Sequence, residues 1–366
     1  MPSQPAVPHL LAPYLSPSAH SAQSLILITS VLAATSNWLV LRYLISILSS
    51  TDVAPNRDGD ERPTKKIVLV SFLRNWDFWR TEAKRLGLDL QRSAEGGRLK
   101  FVDGLSELYG SVASKQVSPT SVRGAGVGSG VGAARPTPLR GPAAGIARAP
   151  LAPPLAQAPS TGSTTSSSGS STQKQLYISG HGNAALEGLE KDIISLISSI
   201  KSTEGDDPLL ILDQPDLLLA ATPGINAADI SDWVMALQQV CAPYSRKGCL
   251  KQELIIPETK HVHSTVITAS ADSPLVHTAY AAGEDGKATP LETQHSAFVV
   301  GLAHQARLVM QLRTLDTGAA KDISGVLRIS RGGGFANDAN ETVEEKEVLY
   351  FVQRDGGIKV FGRGEA

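Results

Sequence analysis

The chain has 366 residues, enough for two average domains or for one α/β domain carrying insertions. Its formal charge is −1, so no overall basic field favours autonomous nucleic-acid binding. Its two cysteines, Cys241 and Cys249, are too few for a secreted disulfide framework and match no common zinc spacing.

Residues 1–20, MPSQPAVPHLLAPYLSPSAH, lack a basic n-region and read as an N-terminal extension. The run from Ser21 to Leu41 carries no charge, and a membrane-anchored adaptor using residues 25–48 is one reading of it. Thr29, Ser30, Thr35, Ser36 and Asn37 lie in its middle, and Arg42 follows. A strand, a turn and a helix account for those polar residues; a spanning helix does not.

The segment 25–29 (LILIT) is a strand buried on both faces, and 37–50 is a largely buried helix. A polar loop follows over 51–66, then a second buried strand at 67–72 and a helix over 79–90 closed by Gly87. A third strand, 98–105, ends in an Asp-Gly turn. Residues 111–175 are built from Ser, Gly, Pro, Ala and Thr, with only positive charges: Lys115, Arg123, Arg135, Arg140, Arg148 and Lys174. Such a stretch buries too little apolar surface to offset its ordering entropy, and it is expected to be a disordered basic insertion. Beyond it, 183–201 is an amphipathic helix and 206–223 holds a buried strand ending at Asp213. The segment 226–241 is a helix capped by Asn226 or Asp229. Residues 261–270 and 307–315 are strands around a helix at 292–306. Segments 324–332 and 346–364, with a turn at 355–357, form an antiparallel tail. Alternating βα units followed by a meander give one α/β domain, residues 21–110 with 176–366, with a mostly parallel sheet and antiparallel edge strands.

The strand–turn–helix at 25–44 has the layout of a phosphate-binding loop. That loop needs glycines for close backbone approach, a lysine for the phosphates and a hydroxyl for magnesium. Laid on this chain, the motif puts Ser30 and Thr35 at the glycines, Ser36 at the lysine and Asn37 at the hydroxyl, so every diagnostic position differs. Asp213, ending the aliphatic run PLLILD, corresponds to the aspartate that contacts magnesium through water; a strand-end carboxylate capping its own turn is the plainer alternative. The strand end at 71–75, SFLRN, has no acid where a RecA-type ATPase carries its activating carboxylate. His261 and His263 share a strand face but have no third ligand at a metal-site spacing, and no metal or other cofactor is expected. Gly180-His181-Gly182 reads as a loop.

The succession LLAPYLS (10–16), LITSVLAATSNWLVLRYL (27–44), VLVSFLRNWDFWRTEAKRLGLDL (68–90) and GRLKFVDGLSELYG (97–110) resembles the fungal form of the Elongator complex protein 6 family. LEKDIISLI (189–197), PLLILDQPDLLLAATP (208–223) and HSTVITASADSPLV (263–276) continue the resemblance in order. It implies a single RecA-like, P-loop NTPase-type domain with degenerate Walker motifs. It implies no catalysis by this chain, and assembly with Elongator proteins four and five into a heterohexameric ring. That ring would bind tRNA, dock on the remaining Elongator subunits and support wobble-uridine modification, in the cytoplasm with the nucleus as a second compartment. An autonomous RecA-like ATPase of recombinase or clock type is the alternative, and it requires the lysine that Ser36 replaces. Arg307, Arg313 and Arg328, on or beside the late strands, are candidates to face a ring neighbour or tRNA phosphate; a solvated strand edge is the plain reading of each.

Overall fold

The computed structural model describes residues 7–16, 24–49, 65–110, 173–201, 207–238, 262–276, 288–316, 318, 320–334 and 343–362. By compactness the chain divides into Met1–Val112 with Ser171–Ala366 and, separately, Ala113–Ser170. The second unit, and with it most of the expected insertion, lies outside the described residues, as do residues 51–64, Cys241, Cys249 and His261.

The first unit is built on one sheet. Its parallel strands are β1 (Ser24–Ser30), β2 (Ile67–Ser71), β3 (Leu99–Asp103), β4 (Gln173–Gln175), β5 (Leu209–Asp213), β6 (Ser264–Ser270) and β7 (Leu308–Arg313). The antiparallel strands β8 (Gly325–Arg331), β9 (Lys346–Val352) and β10 (Ile358–Gly362) extend it in the order β10-β9-β8-β7-β1-β6-β5-β2-β3-β4. β1, β2 and β5 are buried at every position, which is why they read as unbroken aliphatic runs instead of alternating ones. β8 and β9 alternate, because one of their faces meets solvent. The chain leaves β1 for β2 and later returns to lay β6 beside β1 and β7 on its other side. The carboxyl edge of β1, β6 and β5 is therefore a switch in strand order, where open α/β sheets place their ligands. The fold is an α/β domain with a mostly parallel sheet and antiparallel strands at one edge.

Helices cover both faces. On one, α1 (Ala12–Leu15), α2 (Asn37–Leu48), α3 (Trp76–Arg85) and α4 (Leu90–Glu95) bury Leu15, Leu39, Tyr43 and Trp79 against Ile28, Leu69 and Met310. On the other, α5 (Asn183–Ile200), α6 (Leu217–Ala221), α7 (Ala227–Gln238) and α9 (Pro290–Gln305) bury Leu189, Leu218, Trp233 and Phe298 against Leu27, Val70 and Leu212. The short α8 (Ser273–Val276) precedes α9. α2 also holds the tail: Arg42, buried, donates from Nη2 to the Gly356 carbonyl in the β9–β10 turn at 2.8 Å. Burial pulls that guanidinium down to about 10, against an opposing pull from Asp355. Among the described residues, no helix is long and apolar enough to cross a membrane; the 25–48 run is β1, a turn and α2.

Several boundaries differ from the sequence reading, for local reasons. The helix expected over 79–90 begins at Trp76, because Asn75 Oδ1 accepts from the Phe78 amide at 3.0 Å. It ends before Gly87, whose φ of +81° terminates it as expected. Asp89 then caps a separate helix, α4, by accepting from the Arg92 amide at 3.1 Å. The expected insertion boundary at 175 falls on β4, which pairs with β3. Inside the expected N-terminal extension, Leu11 and Leu15 are fully buried in the core. α7 carries both suggested caps: Asn226 Oδ1 accepts from the Asp229 amide and Asp229 Oδ2 accepts from the Asn226 amide.

Candidate functional site at the carboxyl edge of the sheet

β1 runs buried to Ser30, and the chain then closes a tight turn in which the Ala34 amide donates to the Val31 carbonyl at 2.9 Å. Thr35 Oγ1 donates to Asn37 Oδ1 at 2.6 Å. Ser36, at the N-cap of α2, is fully buried in helical backbone geometry and makes no capping bond; among the described residues its hydroxyl has no partner. The amides of Leu39 and Val40 both donate to the Ser36 carbonyl, at 3.0 and 3.2 Å. At the tip, Leu32 is 86% exposed, and its amide donates to Asp272 Oδ1 at 3.1 Å. An amide of the loop is thus occupied by a carboxylate of the same chain.

Asp213 has a different surrounding. Strand register places Ser71 of β2 and Thr268 of β6 directly beside it. Ser71 Oγ donates to Oδ2 at 2.7 Å and Thr268 Oγ1 donates to Oδ1 at 3.0 Å. Arg74, at the beginning of the segment that leaves β2, closes the set with Nη1 at 2.9 Å from Oδ1 and 3.0 Å from Oδ2. Asp213 is fully buried, and the Arg74 side chain is 13% exposed. Its guanidinium lies 5.5 Å from the Phe78 ring centroid and 5.8 Å from that of Trp79. The carboxylate does not cap its own turn. Gln214, at φ +58°, instead sends its amide to Thr268, and among the described residues Asp213 accepts from neighbouring elements, Ser71, Arg74 and Thr268. Arg74 is the residue that sequence reasoning missed. The segment SFLRN carries no acid, and its signal is a cation three residues past a strand-end hydroxyl.

The network continues toward α9. Ser270 Oγ donates to Gln214 Oε1 at 2.8 Å, and the Ser270 amide donates to Asp216 Oδ2 at 3.2 Å. The buried pair Asp216 Oδ2 and His295 Nε2 lies at 3.1 Å, with the Leu275 carbonyl 3.2 Å from Nδ1. The carboxyl ends of β2, β5 and β6 are therefore stapled to one another and to α8 and α9 by polar contacts.

Chemically, this arrangement satisfies Asp213 with protein donors and neutralises it with Arg74, so water bound to a magnesium ion would have to displace either. Among the described residues, no group of three or more His, Cys, Asp or Glu is placed to hold a metal ion. A polar cavity of about 380 Å³ opens beside β3 and β4, lined by Asn75, Asp77, Arg80, Asp103 and Ser106. Its arginine is paired with Asp77 at 2.9 Å, and Asp103 accepts from the Leu105 and Ser106 amides. Of the late arginines, Arg313 is held by Glu347 at 3.0 Å and Asp316 at 3.1 Å, and Arg328 is exposed on β8 between Gln311 and Glu347. Arg307, half-buried, immediately precedes β7. These arginines are far along the sheet order from Asp213 and do not join its network.

No family model matches the chain. It superposes on the crystal structure of a KaiC-like protein from Pyrococcus horikoshii over 98% of both chains, with 11% identity and a TM-score of 0.45. In sequence it is similar to Elongator complex protein 6 of Saccharomyces cerevisiae, with 23% identity over 184 residues, 50% of this chain and 57% of that protein.

Proposed function

We propose that this chain is a non-catalytic subunit of an Elongator complex, joining Elongator proteins four and five in a RecA-like heterohexameric ring that binds tRNA and supports wobble-uridine modification. The observation that carries the non-catalytic part is the Arg74–Asp213 pair. The one carboxylate that could have served magnesium is buried and covered by an arginine, while Ser36 stands where the phosphate lysine belongs. The distant likeness to the yeast protein supports the choice of complex. The subunit works in the cytoplasm and nucleus through its interfaces, and takes no cofactor of its own.

Native mass spectrometry of the chain co-expressed with Elongator proteins four and five of the same source tests the assembly. A closed six-subunit species containing this chain is expected; a chain that stays monomeric beside those partners would remove the functional reading and leave only the fold. Deleting residues 115–172 is expected to leave the ring intact, since closing a shorter loop between the same ends changes little. ATP turnover by the isolated chain, abolished by Asp213→Ala, would instead establish the ATPase reading. Installing the lysine alone, Ser36→Lys, is expected to give no nucleotide binding by calorimetry, because Arg74 still covers Asp213.

A further inference from the structure

The face of β7–β10 opposite α1 and α2 is unlike the rest of the sheet. Register runs Arg313, Val326, Leu349 and Phe361 across the four strands in one row, with Gln311, Arg328 and Glu347 in the next. Phe351 lies opposite Lys359, which alternation puts on this same face. The other face of these strands, with Leu327, Val348, Tyr350 and Ile358, belongs to the core closed by α1 and α2. None of Val326, Leu349, Phe351 and Phe361 belongs to either buried cluster. Val326 is buried at 4% exposure, Phe351, Phe361 and Leu349 are partly exposed, and Gln311, Arg328 and Lys359 are exposed.

Composition decides what such a face fits. The centre of a protein–protein interface is depleted of lysine, whereas here Lys359 stands directly beside an aromatic ring. The acid on the face, Glu347, is already engaged by Arg313. Phe351 and Phe361 are diagonal neighbours on adjacent strands, about 7–8 Å apart at that relation. Aromatic rings at neighbouring positions of an antiparallel sheet, with Lys359 beside them and Arg328 farther along the same face, suit unpaired bases stacking on the rings while phosphates meet the cations. A duplex keeps its bases stacked inside and offers such rings nothing.

We propose that the open face of β8–β10, through Phe351, Phe361, Arg328 and Lys359, binds single-stranded RNA, the unpaired loop bases of the tRNA that the ring carries. The choice of RNA rests on the function proposed above; the platform itself rests on the sheet.

The test is fluorescence anisotropy with a short oligouridine and with an RNA duplex of equal length. It uses the full chain, alone and in its co-expressed assembly. The Phe351→Leu/Phe361→Leu variant keeps apolar bulk and removes both rings. It is expected to melt at the wild-type temperature and to bind oligouridine more weakly by about tenfold per ring, with duplex binding unchanged. Arg328→Gln is expected to lower the salt slope for oligouridine by about 0.7. Unchanged oligouridine binding in the double variant would overturn the inference while leaving a ring-forming subunit intact. Loss of assembly in that variant would also overturn it, marking the face as a protein interface. A chain that binds oligouridine through these rings yet never joins the ring would uphold the platform and remove the Elongator reading.

Discussion

Two ends of neighbouring elements make the informative comparison: the turn between β1 and α2, and the end of β5. On the function proposed above, both stand where a P-loop domain would serve nucleotide. The first, residues 31–36, carries no charged side chain. Ser36 is buried with an unpartnered hydroxyl, and one amide is met by Asp272. The second carries a carboxylate with donors from Ser71, Thr268 and Arg74. The difference follows from charge. A turn without charge leaves nothing that must be compensated, whereas an ionised carboxylate in the interior costs several kcal/mol unless a cation is paired with it.

Removing that cation is the largest test. Arg74→Ala leaves Asp213 fully buried with only two hydroxyls, and a loss of about 3–5 kcal/mol in urea denaturation is expected. Asp213→Ala is expected to cost less, about 2 kcal/mol, because the arginine is near the surface and can turn to water. The two losses should combine to clearly less than their sum. Additive losses would show that the residues do not act as a pair, and the contrast with the loop would collapse.

How much of this could be read in advance follows the same division. The strands β1, β2 and β5 were legible because burial on both faces demands unbroken aliphatic runs. The residues of the β1–α2 turn could be set against a phosphate-loop motif because such a motif is local: Ser30, Thr35, Ser36 and Asn37 stand at fixed offsets. The Asp213 cage was not, because it joins residues 71, 74, 213 and 268 through strand register and sheet order, neither of which a linear pattern carries. β4 escaped for a related reason. Gln173–Gln175 has no apolar alternation, and it is a strand only because β3 offers an edge. Likewise Asn75 and Asp89 are helix caps whose effect depends on where the backbone leaves helical geometry, which moved α3 and divided off α4.

A smaller effect tests how Arg74 is delivered. Its immediate neighbour Asn75 caps α3, and Asn75→Ala is expected to cost about 1 kcal/mol. Because the cap fixes the backbone just after Arg74, this loss should shrink in an Arg74→Ala background, where nothing remains to be positioned. An undiminished loss would mean that the helix, and not the ion pair, is what the cap serves.

The smallest expected change is at the other end of the comparison. Replacing an N-cap serine by alanine ordinarily costs about 1 kcal/mol, since the hydroxyl satisfies an amide of the first turn. Ser36 makes no such bond, and its hydroxyl is desolvated without a partner. Ser36→Ala should therefore leave stability unchanged or raise it by up to about 1 kcal/mol, read as a shift of the urea midpoint at constant slope. A loss equal to that of Asn75→Ala would mean that the hydroxyl is bonded in solution. If that loss appeared only with inorganic phosphate present, the loop would still hold an anion, and both ends of the comparison would be functional. An unchanged or raised midpoint, with and without phosphate, places the loop where its contacts put it: a turn that joins β1 to α2, beside a carboxylate that the fold had to neutralise.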